Sequence, residues 1–419
     1  MNHQVKPEHI TLLDNLLGTE ARQWGNARKL PAALRVTEIM EPAGGNRIPV
    51  YPASYPNAIY DLNGKKTDAK GEVIGYRHAV IDSYQSQANR MEPAFLADKL
   101  RSLVPQITVK VPRKKDSDAA PTEDEINVLE VAHRVADFRV RLSDAGEQVK
   151  IAIKSFDGGN ALPLLRLMPT SVLFGFWDSR DLGTKHARIL LSRIDAFDVM
   201  PCQKHSIYSG MYSQEEARNL LPDAEATKAD NEILSGRGYT NAIGSGLGGV
   251  LVDGGITRTS ILSFTDIARI HCMDGSNFDV VKTNAARRYL FALGVLAEAF
   301  QREMGSYHLR SGCELITVGD VRYELRGGGE NPALIDLCKD QNALVKVAAE
   351  AMAILEINAS VQTFTMTAES IAAEFAETKG KKPDQNEKPA AKKAAAKKAA
   401  AKKAAKGITD VPEDESNEE

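Results

Sequence analysis

Glycine is concentrated in one stretch of the chain, from Gly236 to Gly255, where it supplies eight of twenty residues. Glycine tolerates positive φ and lets a backbone come close to a ligand, at an entropic cost that a purely structural loop has little reason to bear. Gly244, Gly246 and Gly249 also satisfy the GxGxxG spacing of dinucleotide sites. That spacing is meaningful only between a buried strand and the start of a helix. The chemistry in question is therefore nucleotide or nucleic-acid binding through the backbone.

The sequence around these glycines does not fit a dinucleotide site. The preceding residues are polar, and Val250–Val252 and Ile256–Leu262 predict two short strands joined through Asp253 as a hairpin. Asp266 follows the glycine motif at about 20 residues, the distance of a ribose-binding acid, but its surroundings predict the start of a helix. A hairpin that contacts nucleic acid is favoured, and a flexible structural hairpin is the alternative.

Basic residues form a second candidate group within the segment 176–205. The candidates there are Arg180, Lys185, Arg188 and Arg193. Alternation along a strand at Arg188–Ile194 places Arg188 and Arg193 on opposite faces, so the two cannot line one flat surface. Each of these cations could contact a phosphate or pair with a nearby aspartate.

Arg287 and Arg288 closely follow Asn284, which is suited to cap a helix. In the first turn of that helix the dipole disfavours cations. An anion bound at the helix end, shared by the free N–H groups and both guanidiniums, would explain the placement. The alternative is a pair of ordinary surface arginines.

Residues for catalysis are few and dispersed. The chain contains no HExxH, nucleophile elbow, kinase or P-loop signature. His205 and His308 could act as general acid and base in RNA cleavage, but nothing pairs them. We therefore expect no enzymatic activity, no metal and no cofactor. The run Phe174–Trp177 lacks the basic-glycine start of an RNA-stacking motif, so we expect phosphate contacts to outweigh base stacking.

Composition indicates a soluble globular protein of 419 residues with a net charge of −3. The four cysteines form no CxxC pair and no apolar run reaches a membrane span, which favours a reducing cytoplasm. Charge is uneven: residues 377–406 carry eleven lysines against three acids, and residues 407–419 carry six acids. The repeating Ala/Lys pattern leaves no apolar stripe, so we expect a disordered or solvated basic tail that attracts polyanions nonspecifically, or a merely solubilising one.

The remaining sequence predicts an α and β mixture in residues 1–376, with polar insertions near 112–125 and 213–232. The predicted strands are Leu34–Met40, His78–Asp82, Ala136–Leu142, Ser171–Phe176 and Arg188–Ile194. The predicted helices are Pro93–Leu103, entered by the segment Ser83–Met91, one capped by Asn284, and a pair at Pro332–Lys339 and Ala343–Ile357.

Four sequence blocks together resemble the RAMP-superfamily backbone subunit of type I-G, formerly I-U, CRISPR effector (Cascade-like) complexes. They are AVIDSYQSQANRMEP (Ala79–Pro93), the segment Ser171–Val199, the glycine run, and NAARRYLFALGVL with YHLRSGCEL (Asn284–Leu315). The resemblance extends over most of residues 30–360. The Ala/Lys tail lies outside it.

The resemblance implies an α+β fold, with an RRM-like (ferredoxin-like) palm that carries inserted finger and thumb elements. It implies copies that oligomerise along a CRISPR RNA in antiviral defence, with sequence read by base pairing to target DNA. The implied partners are a large subunit, a guide-processing subunit and a helicase-nuclease.

The same blocks nominate RNA-binding residues in this chain. They are Gln85, Gln87, Asn89, Arg90, Arg180, Lys185, Arg188, Arg193, Arg237, Gly244, Gly246, Gly248, Gly249, Arg258, Arg287, Arg288 and Arg310.

Two other functions remain open from the sequence. One is a RAMP-type endoribonuclease that cuts guide precursor or target RNA through a loop aspartate, with Asp157 and Asp253 as candidates. The other is a general single-strand nucleic-acid-binding protein, whose affinity would depend steeply on salt without preference for CRISPR repeats.

Overall fold

The computed structural model describes residues 5–22, 30–55, 59–112, 123–208, 210–222, 231–367 and 369–372. Residues up to Thr365 form one compact unit, and Met366–Glu419 belong to a second. The predicted basic tail and acidic terminus lie outside the described residues, as do 113–122 and 223–230 within the two predicted insertions.

The described strands, numbered along the chain, are β1 (Ala33–Pro42), β2 (Ser54–Tyr55), β3 (Ile59–Tyr60), β4 (Leu62–Thr67), β5 (Val73–Asp82), β6 (Gln106–Pro112), β7 (Glu123–Asn127), β8 (Phe176–Trp177), β9 (Lys185–His186), β10 (Leu190–Tyr208), β11 (Ala242–Val252), β12 (Ile256–Ser263), β13 (Met273–Asp274), β14 (Asn277–Phe278), β15 (Tyr307–Arg310), β16 (Cys313–Arg326) and β17 (Val361–Thr365).

The described α-helices are α1 (Pro7–Leu17), α2 (Tyr84–Met91), α3 (Asp98–Arg101), α4 (Phe138–Arg141), α5 (Gly146–Asp157), α6 (Leu162–Leu167), α7 (Pro169–Phe174), α8 (Gln214–Asn219), α9 (Asn231–Gly236), α10 (Phe264–Ala268), α11 (Val280–Glu303), α12 (Pro332–Lys339) and α13 (Gln341–Leu355). Short 3₁₀ segments lie at Glu92–Leu96, Val128–Glu130 and Arg134–Ala136.

The central sheet has the topology of a ferredoxin-like unit. Its strand order is β15-β16-β1-β12-β10-β5-β4, with β11 also paired to β10, and every pairing in it is antiparallel. The strands β1, β10, β12 and β16 follow the chain order βαββαβ, with helices between β1 and β10 and α11 between β12 and β16. The predicted α+β class and RRM-like palm are confirmed. The strands β17, β6 and β7 form a smaller sheet, in that order, which is separate from the central sheet in its hydrogen bonding.

Strand β10 connects the palm to a two-stranded arm. Its first residues, Leu190–Ala196, pair with β12, and its continuation from Val199 to Tyr208 pairs with β11. The predicted hairpin between Val250–Val252 and Ile256–Leu262 is therefore wrong, because both strands pair with β10 in succession. The residues Asp253–Gly255 have the composition of a turn. They do not reverse the chain, because Gly254 N donates to Phe197 O and Phe197 N to Gly255 O, so β11 and β12 continue in one direction along β10.

Helix α11 forms the centre of the core. Nearly all of its side chains from Thr283 to Ala299 are buried, and it packs against α13, α1 and β12. Gly294 faces β12 so closely that an added Cβ would lie 2.6 Å from Leu262 Cδ1. The helix begins at Val280 and is capped by Asp279, whose side chain accepts from Lys282 N. The prediction that Asn284 caps this helix is wrong, since both residue types cap well and the true start lies one turn earlier.

Several other local predictions need correction. The predicted strand Ser171–Phe176 is a buried helix that begins at Pro169, because short apolar runs fit buried helices and strands equally. The predicted strand Ala136–Leu142 is instead helix α4 after a 3₁₀ turn. Residues Tyr84–Met91 form a helix of their own, capped by Ser83. The predictions of strands β1 and β5 and of helices α12 and α13 are confirmed. Most of these elements have bounds a few residues away from the predicted ones.

A buried ion network lies between the sheet and α11. Arg258 on β12 is 0% exposed, and its Nη1 lies 2.5 Å from Glu38 Oε1 on β1 and 2.6 Å from Glu298 Oε1 on α11. Arg302 Nη1 also donates to Glu38, at 2.8 Å. Burial would raise the pKa of Glu38, but Arg258 and Arg302 outweigh it and lower that pKa. The network therefore stays charged, and each member depends on its partners.

We expect Arg258→Met to lower the free energy of unfolding by about 3–5 kcal/mol, because it leaves Glu38 and Glu298 with one fewer cation in a dry interior. Chemical denaturation of the purified variant measures this loss. Arg258→Met/Glu298→Gln, which removes the surplus charge, should regain part of it. Equal stability of Arg258→Met and the parent chain would contradict the role assigned to the network.

Candidate nucleic-acid interface

Asp82, at the end of β5, is where the first and last of the four sequence blocks meet. Its buried carboxylate accepts from Gln87 Nε2 at 2.7 Å and from Arg90 Nε at 3.2 Å, both on α2. Arg310 Nη2 on β15 donates to it at 2.6 Å. Because a buried carboxylate must be paired, these side chains hold α2 against the sheet. Gln87 is fully buried, so its prediction as an RNA contact is corrected; Arg90 and Arg310 stay partly exposed.

Arg287 and Arg288 also point into the protein, with exposures of 2% and 5%. Arg287 donates to backbone carbonyls at Leu17, Ala268 and Ile270, which lie at the ends of α1 and α10. Burial, and then Arg22, lower its pKa to about 10. The prediction that Arg287 and Arg288 bind an anion in the first turn of a helix is corrected, because both residues lie two turns into α11.

Arg288 pairs with Asp14 of α1 at 2.6 Å, and its Nη2 lies 3.8 Å from Glu350. Arg258 is corrected in the same way as the other two arginines, because the buried network described above occupies its guanidinium. These three arginines join elements of the core instead of presenting charge to a ligand.

The glycine run forms β11 of the arm. A Cβ at Gly248 would lie 2.6 Å from the carbonyl carbon of Gln203 on β10, and one at Gly249, where φ is +89°, would lie 2.8 Å from Val50 O. These two glycines therefore allow close packing of protein backbone. Gly246 faces open space, and Gly244 pairs in register with Ser206. Gly244, Gly246 and the exposed Arg237 near the start of the run remain predictions as RNA contacts.

A short hairpin between Phe176 and His186 carries the most exposed cations of the second block. Strands β8 and β9 pair Trp177 with Lys185, and Gly175 precedes them with φ +75°. A Cβ at Gly175 would lie 2.8 Å from His186 O, so only glycine allows these two segments of backbone to approach so closely here. His186 Nε2 is 2.9 Å from Val172 O, and burial lowers the pKa of this imidazole.

Asp178 organises the tip of the hairpin. Its side chain is buried and accepts from the backbone N–H groups of Arg180, Asp181 and Leu182 at 3.3, 3.1 and 3.1 Å. Its own N–H donates to Thr184 O at 2.9 Å. One carboxylate thus satisfies the tip without a ligand, and the resulting turn is held in a single shape.

Three side chains project from this hairpin into solvent. Trp177 is 62% exposed, and Lys185 Nζ lies over its indole ring, 5.5 Å from the centroid. Arg180 and Lys185 are both exposed, and no described carboxylate forms an ion pair with either. Both cations were predicted from the sequence, but Trp177 was not, because the run Phe174–Trp177 lacks a basic-glycine stacking motif and the pairing of Trp177 with Lys185 is seen only in the hairpin.

Asn89 and Arg188 lie at the base of this hairpin, around the buried Arg134. Arg134 Nη2 donates to Asn89 Oδ1 at 3.1 Å and Nη1 to Gly175 O at 3.4 Å. Its Nε lies 2.6 Å from Glu92 Oε2, an ion pair by distance although the N–H does not point at the oxygen. Burial raises the pKa of Glu92 to about 7 despite this pairing.

Arg188 has a buried Nε for which the described residues supply no hydrogen-bond acceptor. Burial, and then the neighbouring Arg134, lower its pKa. A bound anion would accept the hydrogen bond from Arg188 Nε and would reduce the repulsion between Arg188 and Arg134. Asn89 and Arg188, which lie near Arg134, and the exposed Arg180 and Lys185 of the hairpin come from two sequence blocks, and we call these four residues the hairpin surface.

The remaining candidates lie on β10 and on α2. Arg193 is half-buried, donates to Asp195 Oδ2 at 2.8 Å and lies 5.0 Å from the centroid of the Tyr84 ring. Arg188 precedes β10, so the predicted alternation does not apply to it. Gln85 is exposed on α2. Arg193 and Gln85 remain predictions as RNA contacts.

The residues considered for RNA cleavage are placed separately. Asp157 is exposed at the end of α5, and Asp253 is exposed in the turn between β11 and β12. His308 Nδ1 lies 4.0 Å from Glu314 Oε2, and His205 lies in the arm opposite Ser245. Within the described ranges, no three or more His, Cys, Asp or Glu side chains are grouped so that they could hold a metal ion.

Part of the chain matches a known protein family. The family model of CRISPR-associated protein GSU0053 matches residues 34–201, from β1 through most of β10. No curated protein matches the chain. The match indicates a CRISPR-associated protein family, and such a family points to a role in CRISPR defence. The matched segment contains Asp82 and the whole hairpin surface. Of the helices that the structure describes, none is both long and apolar enough to cross a membrane.

We expect Asp178→Ala to loosen the hairpin tip without unfolding the protein, because three backbone N–H groups lose their acceptor, at a net cost of about 0.5–1.5 kcal/mol for each hydrogen bond. Hydrogen exchange should show faster exchange at Arg180, Asp181 and Leu182. Amides of α11 serve as the internal control. Unchanged protection at all three tip amides would show that Asp178 does not hold the turn.

Proposed function

We propose that this chain is a noncatalytic CRISPR RNA-binding backbone subunit of a type I-G effector complex. Copies line up along the guide, hold its backbone and leave its bases free to pair with target DNA. The partners proposed with it are a large subunit, a guide-processing subunit and a helicase-nuclease of the same system, acting in the cytoplasm.

The observation that carries this proposal is the extent of the family match. A segment matched by a CRISPR-associated family, residues 34–201, builds half of the palm and contains the exposed hairpin with Arg180 and Lys185. A chain of slightly negative net charge cannot attract RNA by its mean charge, so it needs a local cationic surface. The hairpin surface meets that need through Arg180 and Lys185, which are exposed, whereas Arg258, Arg287 and Arg288 are buried in the core.

The second support is the separation of charges within the fold. Arg258, Arg287 and Arg288 are buried on protein partners, whereas the exposed cations of the hairpin are not in described ion pairs. Phosphate contacts through such side chains fix position without reading sequence. That behaviour suits a subunit whose guide is read by base pairing.

Co-expression with a CRISPR array tests the proposal. We expect the purified protein to carry one discrete RNA species, with several protein copies on each strand, as measured by denaturing gels and light scattering. Expression of the same array with an unrelated repeat sequence provides the control. Recovery of an RNA-free monomer would contradict the proposal, and equal binding of unrelated RNA would favour a general single-strand binder.

We expect Arg180→Ala/Lys185→Ala to weaken RNA binding and to reduce the slope of log K against log salt by about one to two phosphate contacts. Titrations at several salt concentrations measure both quantities. Arg269→Ala/Arg326→Ala removes the same charge from other exposed positions and should leave the slope unchanged. If both double variants lower the slope equally, the hairpin has no special part in binding.

A further inference from the structure

We infer that Trp177 is a stacking platform for one unpaired base of the guide RNA, with Lys185 and Arg180 placed to hold the adjoining phosphates. This inference rests on the proposed function and adds a ligand contact to it. The juxtaposition that carries it is an exposed indole, a lysine ammonium over that indole and an exposed arginine in the turn of the same hairpin.

The indole is exposed although its setting is rigid. The residues on either side of Trp177, Phe176 and Asp178, are both buried, and the carboxylate of Asp178 closes the tip. The ring of Phe176 packs on Phe156 with centroids 5.8 Å apart. The backbone that carries Trp177 is therefore fixed by its buried neighbours, which lowers the ordering cost of presenting the ring to a ligand.

One face of the ring carries Lys185, and the other has room for a base. The ammonium lies 5.5 Å from the ring centroid, within the range of a cation–π interaction. A tryptophan covered on both faces would not keep 62% of its surface exposed. A flat ligand that stacks on the free face would therefore lie on an indole already held in place by the lysine.

The charges beside the ring select the class of ligand. Lys185 and Arg180 are exposed cations on the same short hairpin as Trp177. The site therefore combines a flat π surface with two cations that can donate hydrogen bonds to phosphate. A single-stranded nucleic acid offers both a flat ring and a phosphate in every unit. Bases inside a duplex have both faces covered, so only an unpaired base could reach the indole.

The consequence concerns how the guide is held. Affinity gained from stacking tolerates any base, because every base has a π face. The chain could thus grip guides of different sequence equally.

Tryptophan fluorescence tests the inference directly. The chain has two tryptophans, so Trp24→Phe leaves Trp177 as the sole indole reporter. On titration with single-stranded guide RNA we expect strong quenching of the Trp177 emission, since a stacked base lies against the ring. A strand of ribose phosphates without bases should bind more weakly and leave the emission nearly unchanged.

Affinity measurements provide the second readout. Trp177→Ala should bind guide RNA roughly tenfold more weakly with an unchanged salt slope, and Trp177→Phe should regain part of the affinity. Phe278→Ala removes another exposed aromatic residue and serves as the matched control, expected to bind like the parent. Trp177 is exposed, so thermal melting should confirm that these variants fold.

The two ideas fail in different ways. If RNA binds with its usual salt dependence but Trp177 emission does not change and Trp177→Ala binds normally, the stacking platform is refuted and the proposed function stands. If neither the parent chain nor any variant binds guide RNA, both are refuted.

Discussion

Buried charge beneath the central sheet constrains the rest of this fold. Arg258 donates to Glu38 and Glu298 and, through Nε, to Gln87 Oε1 at 3.2 Å; Gln87 in turn donates to Asp82. The chain of contacts runs from α11 through β12 and α2 to the end of β5. An unpaired charge in this interior would cost several kcal/mol, so each element must take the position that pairs its charge. Apolar packing around α11 supplies the driving force, and the polar network selects one arrangement of it.

The same network explains why the most distinctive sequence blocks lie mainly inside the protein. Asp82, Gln87 and Arg90 of the first block bind one another and Arg310 of the last. Ser192 of the second block donates to Gln87 at 3.2 Å. The side chains that these blocks leave at the surface are then the ones open to contact with a ligand. In the second block these are the side chains of one hairpin, whose frame is supplied by Gly175 and Asp178.

Much of the fold could be predicted from local pattern, and the errors have physical causes. Alternation and flanking residues predicted β1 and β5, and Pro332–Lys339 is helical as expected. Pattern could not tell which arginines are buried, because Arg258 meets Glu38 across 220 positions and Arg288 meets Asp14 across 274. For the site, residue type was sufficient to select Arg180 and Lys185. Residue type did not select Trp177. Its place beside Lys185 depends on the pairing of two strands of two residues each, and such short strands leave no recognisable pattern in a sequence.

Photochemical crosslinking of the chain to its copurified guide RNA, followed by peptide mass spectrometry, tests most directly whether the hairpin meets RNA while the core arginines do not. We expect crosslinked nucleotides on the peptides around Trp177, Arg180 and Lys185. Crosslinks confined to other surfaces, with this hairpin unlabelled in an RNA-loaded complex, would contradict it.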